Sequence, residues 1–409
     1  MNENTTPILR LNNLRLQLMI GVIWASLFAL LLLDIKQHFK IDGTKKYILL
    51  GRDFINYYSS SVLVLKNDLH LLHDLEGYRV FQREFFEAPL LSIHNWSYPP
   101  HSLLFTWPLS FFPYLLSLAI WSVVGLGAFY KATRLYIANR FDAWIVVLAP
   151  ASIICLVAGQ NGLFSATLMV APFMLKEKSP WLAGILLGCL TYKPQLGLLL
   201  PIAFILMRDW KVILSAGLTT VTLVAVSLGL FGVQSWISFI NDIVPYQVLV
   251  LNEMGPPFAN MVASLFKSAT IIGIEKNIAM TAQSILTVSC ILFTVWVFWR
   301  RRNYNIQLAF LFTAILLSSP YLVIYDMVPL ALAVYLYYRD LSLSGDLRSL
   351  EPLFLVIVAT LPFTTYFLST ITFPIAPVIL IVFLARLVFK LKQGESSSWV
   401  PISVNEQRT

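Results

Sequence analysis

A dozen apolar runs, at about 16–33, 101–129, 143–158, 163–175, 180–192, 195–207, 212–232, 278–299, 306–318, 323–338, 352–368 and 373–389, decide what this chain can become. Runs of this kind, separated by short polar clusters, are what a bilayer demands of a polytopic protein, because an α-helix satisfies its own backbone inside lipid. Composition agrees. Of the 409 residues 58% are hydrophobic and 12% charged, too few polar side chains to cover a soluble surface. The expected fold is all-α, a polytopic membrane bundle of about 12 transmembrane helices with a range of roughly 10–13, read from span length alone. We expect one membrane domain over 1–392, with a first outer loop at 34–100, a second at 233–277 and a polar tail at 393–409. Four consecutive runs between 143 and 207 are only 13 to 16 residues long. They are too short to cross a ~30 Å layer on apolar residues alone, so their polar ends must be buried in protein or face a water-filled cavity.

The net charge of +8 does not point to nucleic acid, because the basic residues stand in short clusters between the apolar runs. Such clusters orient a membrane protein. Arg10 and Arg15, Lys131 to Arg140, Lys176 and Lys178, Arg208 and Lys211, Arg300 to Arg302, Arg339 and Arg348, and Lys390 and Lys392 alternate strictly with the other loops. By the positive-inside rule these segments and both termini are cytoplasmic. Arg10 and Arg15 precede the first run without a small-X-small cleavage site, which reads as an uncleaved signal anchor. Cys155, Cys189 and Cys290 lie inside apolar runs without paired spacing, so neither a disulfide nor a zinc site is expected. His94 and His101 have no metal-ligand constellation, and we expect no metal or other cofactor.

With the sides assigned, the unusual chemistry falls on the outer face. Gly51-Arg52-Asp53-Phe54 follows the first run and leads into Tyr57 and Tyr58. A carboxylate beside a guanidinium at a lipid boundary suits acid/base work, although on this segment alone the pair reads first as solvated caps of an interfacial helix. Lys193 closes a short apolar helix between Tyr192 and Pro194-Gln195; it reads as a phosphate-binding point charge or as a snorkelling lysine. Asp326 follows Ser319-Pro320-Tyr321 just inside an apolar run, where a carboxylate costs about 2.5 kcal/mol or more to insert and needs a partner. That partner is Lys193, a substrate hydroxyl or a purely structural contact. Gly159-Gln160-Asn161-Gly162 is a tight turn whose amides suit sugar hydroxyls. Trp96 to His101, with Tyr98-Pro99-Pro100, reads as an interfacial belt. Patterning over Tyr57, Tyr58, Val62 and Leu65, then Val80, Phe81 and Phe85, predicts short interfacial helices lying on the membrane domain.

The outer Gly-Arg-Asp-Phe, Tyr98-Pro99-Pro100, Gly159-Gln160-Asn161, Ala183-Gly184 running to Tyr192-Lys193-Pro194-Gln195, and Ser319-Pro320-Tyr321 to Asp326 together resemble glycosyltransferase family 87. The resemblance runs from about residue 50 to 335. It implies a GT-C-like bundle in a bacterial inner (plasma) membrane with its site facing the periplasm. It also implies a polyprenyl-phosphate sugar donor, with a lean to mannose, and an envelope glycolipid or glycan acceptor; membrane lipids are the surroundings and nucleic acid is no partner. An acidic residue of the first outer loop is the family's base, which maps onto Asp53, with Asp42, Asp68 and Asp74 as fallbacks. Lys193 and Arg52 then hold the donor phosphate. Asp326, Gln160, Asn161, Tyr98, Tyr192, Gln195 and Tyr57 bind sugar or acceptor. The competing function is a transporter or flippase, which an inverted repeat and mid-span ionisable groups would favour; a non-catalytic envelope assembly protein is the third.

Overall fold

The computed structural model describes residue 21 and residues 51–87, 94–300 and 303–393. The first predicted span, the signal anchor, Asp42, the start of the first outer loop and the tail beyond 393 lie outside the described residues. Among the described residues the chain is helical and forms no strand, apart from one isolated antiparallel bridge between Val262 and Val323.

The first outer loop holds α1 (Phe54–Lys66) and α2 (Leu75–Phe85). Rather than lying on the domain, α1 is sunk into it: Phe54, Ile55 and Ser59 to Ser61 are buried. Its Tyr58 hydroxyl donates to the Phe112 carbonyl at 3.0 Å. Exposed Val80 and Phe85 place α2 closer to the interfacial expectation. Tyr57, Tyr58, Leu63, Leu72, Tyr78 and Trp96 form an apolar cluster with Leu103 and Leu109 of the segment that follows, and burying each such side chain is worth about 1.5–3 kcal/mol.

The predicted span at 101–129 begins later than expected. Pro108 and Pro113 remove backbone donors, and the chain passes through short turns before α3 (Tyr114–Arg134). The run at 143–158 breaks into α4 (Arg140–Val147) and α5 (Pro150–Ala158), bent by 57° at the proline. Next come α6 (Gly162–Leu175), α7 (Pro180–Cys189) and α8 (Leu200–Met207), all short. Beyond them α9 (Trp210–Ser238) continues through a π-turn into α10 (Val244–Glu253), so much of the predicted second outer loop is helix. A backbone break at Gly232, where φ is 78°, marks the predicted end of the span. The remaining long helices are α11 (Lys276–Trp299), α12 (Tyr304–Ser318), α13 (Val328–Ser344), α14 (Glu351–Thr370) and α15 (Ala376–Gln393).

The described helices support a polytopic membrane bundle without confirming twelve spans. Among the described residues four helical stretches are long and apolar enough to cross a bilayer, Tyr114–Arg134, Trp210–Glu253, Lys276–Trp299 and Glu351–Thr370, or five if the bent pair counts as one. Of the short apolar helices, α7 and α8 keep exposed apolar faces at Trp181, Leu182, Ile185 and Ile205, whereas α12 is enclosed. All residues of α12 from Ile306 to Ser318 are buried, as expected of a helix apolar on every side. Small residues set the closest packing: a Cβ on Gly184 of α7 would lie 2.3 Å from Ser215 of α9.

The polar segments sort into two groups by contact. Lys176 meets Asp209, Tyr304 donates to the Phe173 carbonyl, and Lys390 meets Asp346. All of these come from the basic set of loops. The other set supplies a separate network around Gly159 to Gly162.

Candidate active site

Gly159-Gln160-Asn161-Gly162 is the hub of that network. Gly159 closes α5 in the left-handed region (φ 69°), and a Cβ there would sit 2.6 Å from Phe54 Cβ and 3.3 Å from Gly51 Cα. Gly51 is also left-handed (φ 63°), a conformation that costs glycine nothing. The close approach lets the Asp53 amide donate to the Ala158 carbonyl at 3.0 Å. On the other side of the turn, a Cβ on Gly162 would lie 2.0 Å from the Tyr325 carbonyl oxygen. Two glycines thus draw residue 53 and residues 325–326 onto opposite flanks of one amide pair.

Asp53 is the N-cap of α1, yet its carboxylate makes no capping hydrogen bond. Oδ2 instead accepts from Gln160 Nε2 at 2.9 Å, while Oδ1 faces His94 Nε2 at 3.5 Å and Arg52 Nε at 3.9 Å. The solvated-cap reading does not fit a carboxylate only 17% exposed and held from the Gly159–Gly162 turn. Burial alone raises its pKa; the hydrogen bond and charge of His94, the charge of Arg52 and the Gln160 amide outweigh this and bring it below the ordinary 3.8. Asp53 is ionised at neutral pH. Asp74 spends its carboxylate capping α2 through the Glu76 and Gly77 amides, and Asp68 lies half-exposed 3.9 Å from His70.

From Gln160 the polar path runs inward. Its Oε1 accepts from the Tyr57 hydroxyl at 2.8 Å, and the Tyr57 and Tyr98 hydroxyls are 2.7 Å apart. Because the Tyr57 proton is spent on Gln160, Tyr98 donates to Tyr57. Burial first, then the neighbouring Tyr98, raises the Tyr57 pKa well above 10.0, which keeps the phenol neutral. Trp121 stacks on Tyr57 at 5.0 Å. Asn161 is buried and its Oδ1 has no partner, an open acceptor where a ligand hydroxyl would be satisfied.

Lys193 Nζ meets Asp326 Oδ1 at 2.5 Å, with side chains 5% and 3% exposed, and lies 5.4 Å from the Tyr325 ring. Tyr192 shares a 2.6 Å hydrogen bond with Ser165, and its ring lies 6.1 Å from that of Tyr98. Tyr98 thus brings the Asp53 network up to the Tyr192 ring, one residue before Lys193, without a direct contact between Asp53 and Lys193. Arg52 is 47% exposed and rests its guanidinium on Met261 Sδ at 3.9 Å. Gln195 sits half-buried in the four-residue helix after Lys193.

His94 and Trp121 belong to this site, and the sequence singled out neither as a site residue. A histidine 41 positions from Asp53, without periodicity or paired ligands, gives no local signal; only the folded loop brings the two together. The segment after α10 is a second addition, since Met261 touches Arg52 and the Ala263 amide donates to the Leu322 carbonyl at 2.7 Å. Among the described residues no three His, Cys, Asp or Glu side chains cluster as metal ligands would.

Comparison with curated proteins and with solved structures returned no match. The profile of glycosyltransferase family 87 matches residues 96–324, more than half of the chain. That stretch holds Tyr98, Gln160, Asn161, Tyr192, Lys193 and Gln195, with Asp53 before it and Asp326 just beyond its end. The chain belongs to glycosyltransferase family 87, a membership that makes it a membrane glycosyltransferase.

Proposed function

We propose that this glycosyltransferase moves a hexose, mannose by family resemblance, from a polyprenyl-phosphate donor to an envelope glycolipid or glycan on the periplasmic face of the inner membrane. One observation carries the reading. The Asp53 carboxylate is free of capping duty and linked through Gln160 and Tyr57 to Tyr98, whose ring lies 6.1 Å from that of Tyr192, the residue before the buried Lys193.

In this reading Asp53 is the general base. It takes the acceptor hydroxyl's proton as that oxygen attacks the anomeric carbon, with inversion, and the carbon–oxygen bond to phosphate breaks. Arg52 meets the departing phosphate at the lip of the site. Lys193 reaches it by exchanging one anion for another, which keeps its buried charge compensated and frees Asp326 to accept from a sugar hydroxyl. Gln160, Asn161, Tyr98, Tyr192, Gln195 and Tyr57 orient sugar and acceptor.

The test is transfer of tritiated mannose from a polyprenyl-phosphate donor to an inner-membrane glycolipid extract by the purified chain. Asp53→Asn is expected to lose about 10²–10⁴-fold in rate. An Asp53→Asn variant as fast as wild type would remove Asp53 from the mechanism. Wild-type protein that carries the lipid-linked sugar across a vesicle without forming a glycosidic bond would be a transporter.

A further inference from the structure

We propose that Tyr246 and Gln247 of α10, together with the segment from Asn95 to Tyr98, form an acceptor subsite that binds hydroxyls of the sugar ring presented to Asp53. The inference rests on the reading of Asp53 as the base and deepens it, by naming the groups that hold the acceptor and the chemistry they recognise.

The base fixes where the acceptor sits. Oδ2 of Asp53 already accepts from the Gln160 amide, which leaves Oδ1, on the His94 side, for the attacking hydroxyl. From His94 the chain runs on through Asn95, Trp96 and Ser97 to Tyr98. That segment and the element facing it are placed to hold the rest of the acceptor.

The facing element is α10. Asn95 Nδ2 donates to the Tyr246 hydroxyl at 2.5 Å, and Gln247 Nε2 donates to Ser97 Oγ at 2.6 Å. Because the Tyr246 oxygen acts here as an acceptor, its own proton is left over; the Gln247 amide oxygen takes no part in the contact with Ser97. Both side chains are half-buried, at the edge of the protein's polar interior. A spare donor beside a spare acceptor suits a ring bearing several hydroxyls, each of which both donates and accepts. Burial raises the pKa of Tyr321, and Tyr98, Asp326, Lys193 and Tyr246 all bear on that same phenol. Tyr246 therefore stands among the groups of the site.

The mounting of α10 is firm. It exposes Val244, Val248 and Leu249 on one side and buries Val250 and Leu251 on the other. Buried Lys267 donates to the Leu251 carbonyl at 3.1 Å and to the Met254 carbonyl at 3.0 Å, a cation at the helix end that favours one. On its far side the segment is held by α1, since the Asn95 carbonyl accepts from Asn56 Nδ2 at 2.8 Å.

Two variants decide it, each in the purified full chain. The inner-membrane glycolipid extract is titrated at fixed polyprenyl-phosphate mannose, and the donor is then titrated at saturating extract. Tyr246→Phe and Gln247→Met should each need about 3- to 10-fold more extract for half-saturation, the loss of one hydrogen bond to a hydroxyl. With kcat at saturation within about threefold of wild type, donor KM and inhibition by polyprenyl phosphate should be unchanged. Val248→Ala, on the exposed side of α10, should behave as wild type. A merely structural role would lower kcat and leave half-saturation where it was. That pattern, or a donor KM that rises as much as the demand for extract, overturns the subsite; if Gln247→Met does not fold, Tyr246→Phe decides alone. Normal half-saturation of Tyr246→Phe, in an enzyme that Asp53→Asn still silences, overturns the subsite and leaves the base in place. Wild-type protein that forms no glycosidic bond sinks the sugar-transfer reading, and the subsite with it.

Discussion

Gln160 and Asp53 stand 107 positions apart, yet the Gln160 amide donates to the Asp53 carboxylate at 2.9 Å while its oxygen accepts from Tyr57 at 2.8 Å. An amide offers a donor for the carboxylate and an acceptor for the phenol at once. A carboxylate at 160 would repel Asp53, and an apolar side chain would leave both neighbours short of a partner.

Gln160→Leu is therefore expected to slow transfer about 10- to 100-fold at neutral pH, the loss of one hydrogen bond to a charged group. The acid limb of the rate profile moves as well. Burial raises the Asp53 pKa, and His94, Arg52 and Gln160 together lower it below 3.8. Removing Gln160 lets burial count for more, so the limb moves to higher pH. The sign for stability is the same: a depressed carboxyl stabilises the fold above its unfolded pKa, and this is lost as pH falls through the folded one. A pH series of rates and of thermal unfolding for wild type and Gln160→Leu checks both.

Lys193 and Asp326 form a buried pair that is costly to break on one side. Asp326→Leu should destabilise the chain by about 3–5 kcal/mol because it strands the ammonium, and Lys193→Met should do the same to the carboxylate. The double variant should recover most of this loss, since an apolar pair of similar volume is often neutral. It should not recover transfer. Unfolding in detergent, set beside the transfer assay for all four proteins, separates the structural contribution of the pair from its work on substrate.

Sidedness is open to direct labelling. Arg52 is exposed beside the site, and Lys178 is exposed in a basic loop. In a background with Cys155, Cys189 and Cys290 replaced, Arg52→Cys should react in intact cells with an outer-membrane-passing, inner-membrane-impermeant maleimide, and Lys178→Cys only after lysis. The reverse pattern would turn the site to the cytoplasm.

The apolar runs disclosed the fold class but not the number of crossings. Hydropathy cannot tell a short helix enclosed by protein from one facing lipid; α12, buried along nearly its whole length, and α11, long and apolar enough to cross a bilayer, look alike as strings of apolar residues. Prolines were the better guide, since Pro108, Pro113 and Pro150 sit where helices break or begin. Of the site, Lys193, Asp326 and the Gln160-Asn161 pair stood out because polar residues are rare in such surroundings. His94 did not, because an interfacial histidine is unremarked until its neighbour across the loop is known.

The glycines around Gln160-Asn161 show how narrow the geometric tolerance is. Gly162 is helical, so alanine there is sterically acceptable to its own backbone and would on propensity alone stabilise α6 by about 0.5–1 kcal/mol. Its Cβ, however, would lie 2.0 Å from the Tyr325 carbonyl oxygen, which is backbone and cannot swing away. Residues 325–326 must shift, and Asp326 with them. Gly162→Ala is accordingly expected to cost about 1–3 kcal/mol through overpacking and to reduce transfer at least as much as Gln160→Leu. Gly217→Ala is the control: a Cβ there meets nothing within 4 Å, so its helix should gain slightly and transfer should be unchanged. Equal behaviour of the two variants, in melting temperature and in rate, would mean that the approach of Tyr325 to Gly162 does not set the geometry of the site.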